Sequence, residues 1–266
     1  MSTHMSRYAL HFEVLLLFCC SGSGPTAESV PTLEAKDTPS VSKESIGEFQ
    51  IAHSTIADTA GLEADLRIIG SKLGPLDPSI REHLVVVEVT YFSFTDSAMT
   101  TVDGQNLRSG VLIVHSCVAH DVRTLFEALQ RDTFPIAKVI PINRFGLNAD
   151  STGWNDLASM ANNNTSAFNY RTKPNSTEPS KHGQGIAIDI NPLFNPLVRH
   201  GDEGTAVEPQ KGRYDPTRPG TLTRSNTEEY LRPLGWSWGG RWPKPADYQH
   251  IEKSRGRCAH LQFSLK

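Results

Sequence analysis

The stretch SKHGQGIAIDINPLFNP, Ser180 to Pro196, decides how this chain is read. Within GIAIDIN, strict alternation sends Ile186, Ile188 and Ile190 to one face of a strand and Ala187, Asp189 and Asn191 to the other. The isoleucine face belongs in a core and fixes the strand. Asp189 is then held rigidly on the opposite face, beside an alanine that leaves room for something bulky. His182 would fall on the wrong face of a continuous strand, but Gly183 and Gly185 allow a tight turn that returns it to Asp189.

A histidine and an aspartate held together in this way can ligate a metal. Zinc accepts imidazole nitrogen and carboxylate oxygen, and a catalytic zinc site uses three protein ligands and keeps one position open. The third ligand must come from elsewhere. Of the ten histidines, His250 in DYQHIE is the best placed, because it sits in a strand-like segment with Asp247 three residues before it. A carboxylate so placed can act as a general base and pass its proton to a leaving amine. His115, His120, His200 and His260 have no partner at ligand spacing and read as structural or surface residues. Trp236, Trp238 and Trp242 read as core first and as a cleft wall second.

With 266 residues the chain can form one catalytic-sized domain with extensions. A net charge of −3 and the lack of any long Lys/Arg run argue against nucleic acid or a polybasic membrane contact. Residues 1–22 have the outline of an export signal, with an apolar segment from Val14 to Cys20 too short to span a bilayer. Cys19 or Cys20, followed by Ser21 and Gly22, offers a lipid-anchor site as an alternative. Residues 23–75 form a Ser/Pro/Glu-rich tether with a pre-domain helix around GLEADLRIIGSKLG, and residues 76–266 the catalytic domain. The mature chain has no integral membrane span in this reading. Cys117 and Cys258 either form one disulfide or stay as two separately buried thiols.

HLVVVEVTYFSF and SGVLIVHS are β-branched and aromatic, and predict two strands. AHDVRTLFEALQRD places Val122, Leu125, Phe126 and Leu129 at helical spacing, an amphipathic helix on that sheet. FPIAKVIPINRFG returns to strand character, residues 148–181 show no sustained period, and SNTEEYLRPLG reads as a short helix capped by Asn or Ser. Strands without βαβ alternation predict an α+β fold: a small antiparallel sheet with flanking helices and long loops, carrying the zinc site on the sheet face.

Together, SKHGQGIAIDINPLFNP and DYQHIE resemble the two zinc motifs, His-x6-Asp and Asp-x-x-His, of the D-alanyl-D-alanine carboxypeptidase family of zinc peptidases. That family includes bacterial D-Ala-D-Ala dipeptidases and phage endolysins, and shares its fold with lysostaphin-type enzymes and the hedgehog signalling domain. NNNTSAFNYR resembles the family stretch that ends in a substrate-binding arginine, here Arg171, and GWSWGGRW the tryptophan-rich stretch before the last motif. The resemblance spans residues 80–253. It implies zinc held by His182, Asp189 and His250, Asp247 as the base, and Arg171 and Ser180 on the substrate. Asp at 247, where the dipeptidase branch has Glu, is similar to the L-alanyl-D-glutamate endopeptidase branch.

The function implied is an exported, monomeric zinc peptidase that hydrolyses peptidoglycan peptides next to a D-amino acid, as carboxypeptidase or endopeptidase. The alternative is a non-catalytic zinc-containing binding module of the same fold. Asp247 and Arg171 favour the enzyme, because a purely structural zinc site needs neither.

Overall fold

In the computed structural model, residues 61–94, 106–201, 204–254, 256 and 258 are described. All of them lie in the unit Ile51–Lys266. The expected export signal or lipid anchor and the tether up to residue 60 lie outside the described residues.

The chain enters through α1 (Leu62–Leu73) and the short α2 (Pro78–Arg81), where Asp77 caps α2 by accepting from the Ser79 N–H. Leu62, Leu66 and Ile69 recur at helical spacing and are buried in the main hydrophobic core. Strands β1 (Leu84–Phe92) and β2 (Leu107–His115) pair antiparallel over their full lengths, from Leu84 opposite His115 to Phe92 opposite Leu107. The helix that follows, α3 (Ser116–Arg131), buries Val122, Leu125, Phe126 and Leu129, the stripe expected from the sequence, and Val118 before them. His115 starts it, with Nδ1 accepting from the Cys117 N–H.

The strand expected in FPIAKVIPINRFG is reduced to β3 (Lys138–Val139), followed by a 3₁₀ turn over Ile142–Phe145. Pro141 explains the loss, since it has no N–H to give a ladder. The aperiodic segment is largely irregular, with α4 (Asp156–Ala161), capped by Asn155, and β4 (Asn164–Thr165), which runs parallel to β3. Buried aromatics hold it in place. Trp154 Nε1 donates to Asp65 on α1, Tyr170 donates its hydroxyl to the Gly74 carbonyl, and the Phe168 N–H bonds to the Ile113 carbonyl of β2.

The remaining elements are β5 (Ala187–Asp189), β6 (Leu197–Gly201), β7 (Gly204–Glu208), α5 (Arg224–Leu231), β8 (Trp236–Trp238), β9 (Ala246–Asp247) and β10 (His250–Lys253). Thr223 caps α5 in a reciprocal box with Asn226, in place of the expected Asn or Ser cap. The described strands form four small sheets, β1-β2, β3-β4, β5-β10-β8 and β7-β6-β9. All but the β3-β4 pair are antiparallel. The fold is α+β as expected, with its strands divided among several small sheets.

Candidate active site and metal centre

The site is built where the turn Ser180–Gly185 feeds β5. Ser180 Oγ accepts from the Gly183 N–H at 3.0 Å, and the Gly185 N–H bonds to the His182 carbonyl at 2.9 Å. Gly185 has φ +69°, and a Cβ there would lie 2.7 Å from the His115 amide nitrogen, so only glycine turns the chain at this point. Ile186, Ile188 and Ile190 are then buried in the core, as their alternation requires. The alternation stops after Ile190. Asn191 adopts φ 45° and turns inward, donating to the carbonyls of Pro135 and Gly220 and accepting from the Ala137 N–H.

Strand β10 lies antiparallel to β5 with His250 opposite Asp189, Ile251 opposite Ile188 and Glu252 opposite Ala187. His182 Nε2 is 3.3 Å from Asp189 Oδ2, His250 Nδ1 is 3.3 Å from Asp189 Oδ1, and the two ring nitrogens are 3.0 Å apart. All three side chains are buried. The outer nitrogens are already engaged, His182 Nδ1 with the Ala167 carbonyl at 2.7 Å and His250 Nε2 with Glu252 Oε2 at 3.0 Å. A neutral ring with its proton on the outer nitrogen, facing an oxygen, would turn the inner nitrogen's lone pair to the centre. Two such nitrogens and a carboxylate oxygen, all within 4.8 Å of one another, form a group that could hold a shared cation. Two nitrogens and one oxygen suit zinc.

Burial alone would raise the Asp189 carboxyl, but the charges and hydrogen bonds of His182 and His250 hold it well below the usual carboxylate range. Burial disfavours the charged His250 ring, yet its bonds to Asp189 and Glu252 and the charges of Asp189 and Asp247 raise it to about 9. The pocket therefore favours positive charge at its centre.

A cavity of about 410 Å³ opens over these three residues and is also lined by Asp156, Arg171, Ser180, Trp242 and Asp247. Asp247 is set on β9, which pairs with β6 so that Asp247 lies opposite Leu197. Burial first, and then the negative charge of Asp189, push its carboxyl up to about 6. Its Oδ1 is buried with no hydrogen-bond partner among the described residues. Gly239 permits the approach of this strand, since a Cβ there would lie 2.6 Å from the Asp247 carbonyl oxygen.

Arg171 stands 3.7 Å by Nε from Asp156 Oδ2, outside hydrogen-bonding distance, and that Nε is buried without a hydrogen-bond partner among the described residues. Trp236 and Trp238 are core residues, while Trp242 is 39% exposed and tilts over the His250 ring at 5.3 Å between centroids.

Three residues at the site were not anticipated. Glu252 carried a signal, because it lies two residues beyond His250 on the same strand face. Asp156, whose carboxyl is raised by burial more than the Arg171 charge lowers it, and Glu208 reach the cavity from distant segments with no local pattern to announce them.

Among the described residues a second cluster, His115 with Cys117 and Cys258, has metal-ligand composition. Its sulfurs are joined in a disulfide that spans 141 residues, which resolves the alternative left open by the sequence. His120 and His200 are exposed, His115 is buried, and His260 lies outside the described residues.

Comparison with curated proteins and with solved structures finds no match for the chain. Residues 174–253 match the family model described as D-alanyl-D-alanine carboxypeptidase. The match is shorter than the resemblance suggested and begins just beyond Arg171, but it contains His182, Asp189, Asp247 and His250. Over this segment the chain is similar to the D-alanyl-D-alanine carboxypeptidase family, whose members are zinc peptidases.

Proposed function

We propose that the protein is a zinc-dependent peptidase that hydrolyses peptide bonds next to a D-amino acid in bacterial cell-wall peptides. His182, Asp189 and His250 hold the ion. The observation that carries this reading is their convergence beneath a cavity whose wall also presents Asp247, with a carboxylate oxygen that has no hydrogen-bond partner among the described residues and a raised carboxyl. Zinc bound there supplies a Lewis acid that polarises a carbonyl and acidifies water.

The chain's own groups do the rest. Asp247 accepts a proton from water as its oxygen attacks the scissile carbonyl carbon, and returns that proton to the amine nitrogen as the carbon–nitrogen bond breaks. Burial, which pushes this carboxyl up to about 6 in the metal-free protein, opposes the lowering by a bound cation and helps it both to take up and to release the proton. Arg171 offers a planar fork to a substrate carboxylate or carbonyl. Ser180 lines the cavity and keeps the His182 turn in shape. Asp247 and Arg171 support the enzyme over a binding module, because Asp247 Oδ1 and Arg171 Nε are buried at the cavity with no hydrogen-bond partner among the described residues, although Arg171 also lies 3.7 Å from Asp156. The protein acts, in this proposal, as an exported monomer, released or lipid-anchored.

The test is to incubate purified protein with peptidoglycan, with and without a chelator, and to weigh the released peptides by mass spectrometry. Peptides released only in the metal-loaded sample are expected. No release, or release that a chelator leaves untouched, contradicts the proposal.

A further inference from the structure

His250 is held between two carboxylates. Its Nδ1 lies 3.3 Å from Asp189 Oδ1 and its Nε2 lies 3.0 Å from Glu252 Oε2. A neutral imidazole has one N–H and one lone pair. With the proton on Nε2, the ring donates to Glu252 and turns a lone pair toward Asp189 and His182. With the proton on Nδ1, it donates to Asp189 and the donor set loses a nitrogen.

Glu252 is built into this position. It shares a strand face with His250, and its cross-strand partner on β5 is Ala187, whose methyl group leaves space for a long acidic side chain. Its other oxygen, Oε1, lies 3.7 Å from Lys181 Nζ, and Lys181 also donates to the Lys253 carbonyl at 3.0 Å. Both members of that ion pair are about four-fifths buried, with side-chain exposures of 21% and 22%. The chain of contacts therefore runs from the residue before His182, through Glu252, to His250.

We infer that Glu252, steadied by Lys181, is a positioning residue that selects the Nε2–H tautomer of His250 and thereby sets how tightly the site holds its metal. The inference rests on the zinc reading of His182, Asp189 and His250. The Glu252–His250 bond gives Glu252 a role that packing does not supply, because the carboxylate accepts from the one ring nitrogen that faces away from the other ligands.

The experiment measures zinc affinity of the full chain by competition with a chromophoric chelator, together with ¹⁵N NMR of the His250 ring in the zinc-loaded protein. Glu252→Gln keeps the size and removes the charge, and is expected to bind zinc about 10- to 100-fold more weakly. Glu252→Asp and Lys181→Met are expected to fall between it and wild type. The wild-type ring is expected to show Nε2–H and a zinc-bound Nδ1. Circular dichroism checks folding, and should Glu252→Gln fail to fold, Lys181→Met and the wild-type tautomer decide. Zinc affinity equal to wild type in the folded Glu252 variants, or in Lys181→Met when it alone decides, overturns the inference while leaving the zinc site intact. So does a wild-type ring protonated on Nδ1. Wild-type protein that does not bind zinc at all removes the underlying reading and the inference with it.

Discussion

Asp189 and His250 are direct partners in the antiparallel β5-β10 ladder, and their side chains meet at 3.3 Å on one face of it. Register thus places two of the three proposed metal donors together. The third, His182, is delivered by a glycine turn that ends on the same strand. This preorganisation yields direct expectations.

Replacing either His182 or His250 by Ala removes one of three donors and should strip the metal. Elemental analysis of purified variants is expected to show one zinc per wild-type chain and little in either variant. Stoichiometric zinc in both would dismiss the site.

Asp247→Ala should retain zinc and lose about 100- to 10,000-fold in turnover, the contribution of a positioned general base. Asp247→Glu, displaced by one methylene, should be partly active. Steady-state rates at matched zinc occupancy check this, and an Ala variant as fast as wild type assigns the base elsewhere.

In the metal-free protein the Asp247 carboxyl is expected to titrate near 6, above the ordinary aspartate value of about 3.9. It is neutral below that pH and charged above it. A bound divalent ion favours the charged form, so zinc should move the titration to lower pH. Carboxyl ¹³C shifts followed against pH, with and without zinc, report both. An ordinary value in the metal-free protein contradicts the burial argument.

Arg171→Ala should cost an exopeptidase about 10- to 150-fold in kcat/KM, because a charged hydrogen bond contributes roughly 1.5–3 kcal/mol. Lys should restore only part of this, since it keeps the charge without the fork. Rates on a free-acid peptide and its C-terminal amide separate the cases. A loss confined to the free acid marks a terminal-carboxylate clamp, and equal rates for variant and wild type on both peptides would end the clamp role.

The Cys117–Cys258 bond closes a loop with a sequence separation of 141, and its removal is expected to lower stability by about 2–5 kcal/mol. Urea denaturation of the Cys117→Ser/Cys258→Ser double variant should show a lower midpoint. Its zinc content should be unchanged, because neither sulfur belongs to the proposed metal-donor set.

Local pattern was enough for β1, β2, α3 and the buried isoleucines of the β5 region, because side-chain periodicity is a property of a few consecutive residues. It was also enough to nominate His182, Asp189, Asp247 and His250, whose types and order name a chemistry without coordinates. The strand expected in FPIAKVIPINRFG was cut short by Pro141, a local feature that its apolar content outweighed in the reading. Other decisions lie beyond any local window. The pairing of β5 with β10 brings residues 61 apart into contact, Asp156 and Glu208 reach the cavity from separate elements, and the Cys117–Cys258 bond joins distant segments. The nitrogen that each histidine turns inward depends on the Ala167 carbonyl and on Glu252. Sequence alone nominated the proposed metal donors and the proposed base. Tertiary structure decided their distances, burial and orientation, because those depend on long-range packing and on the fields of neighbours that no short stretch of chain encodes.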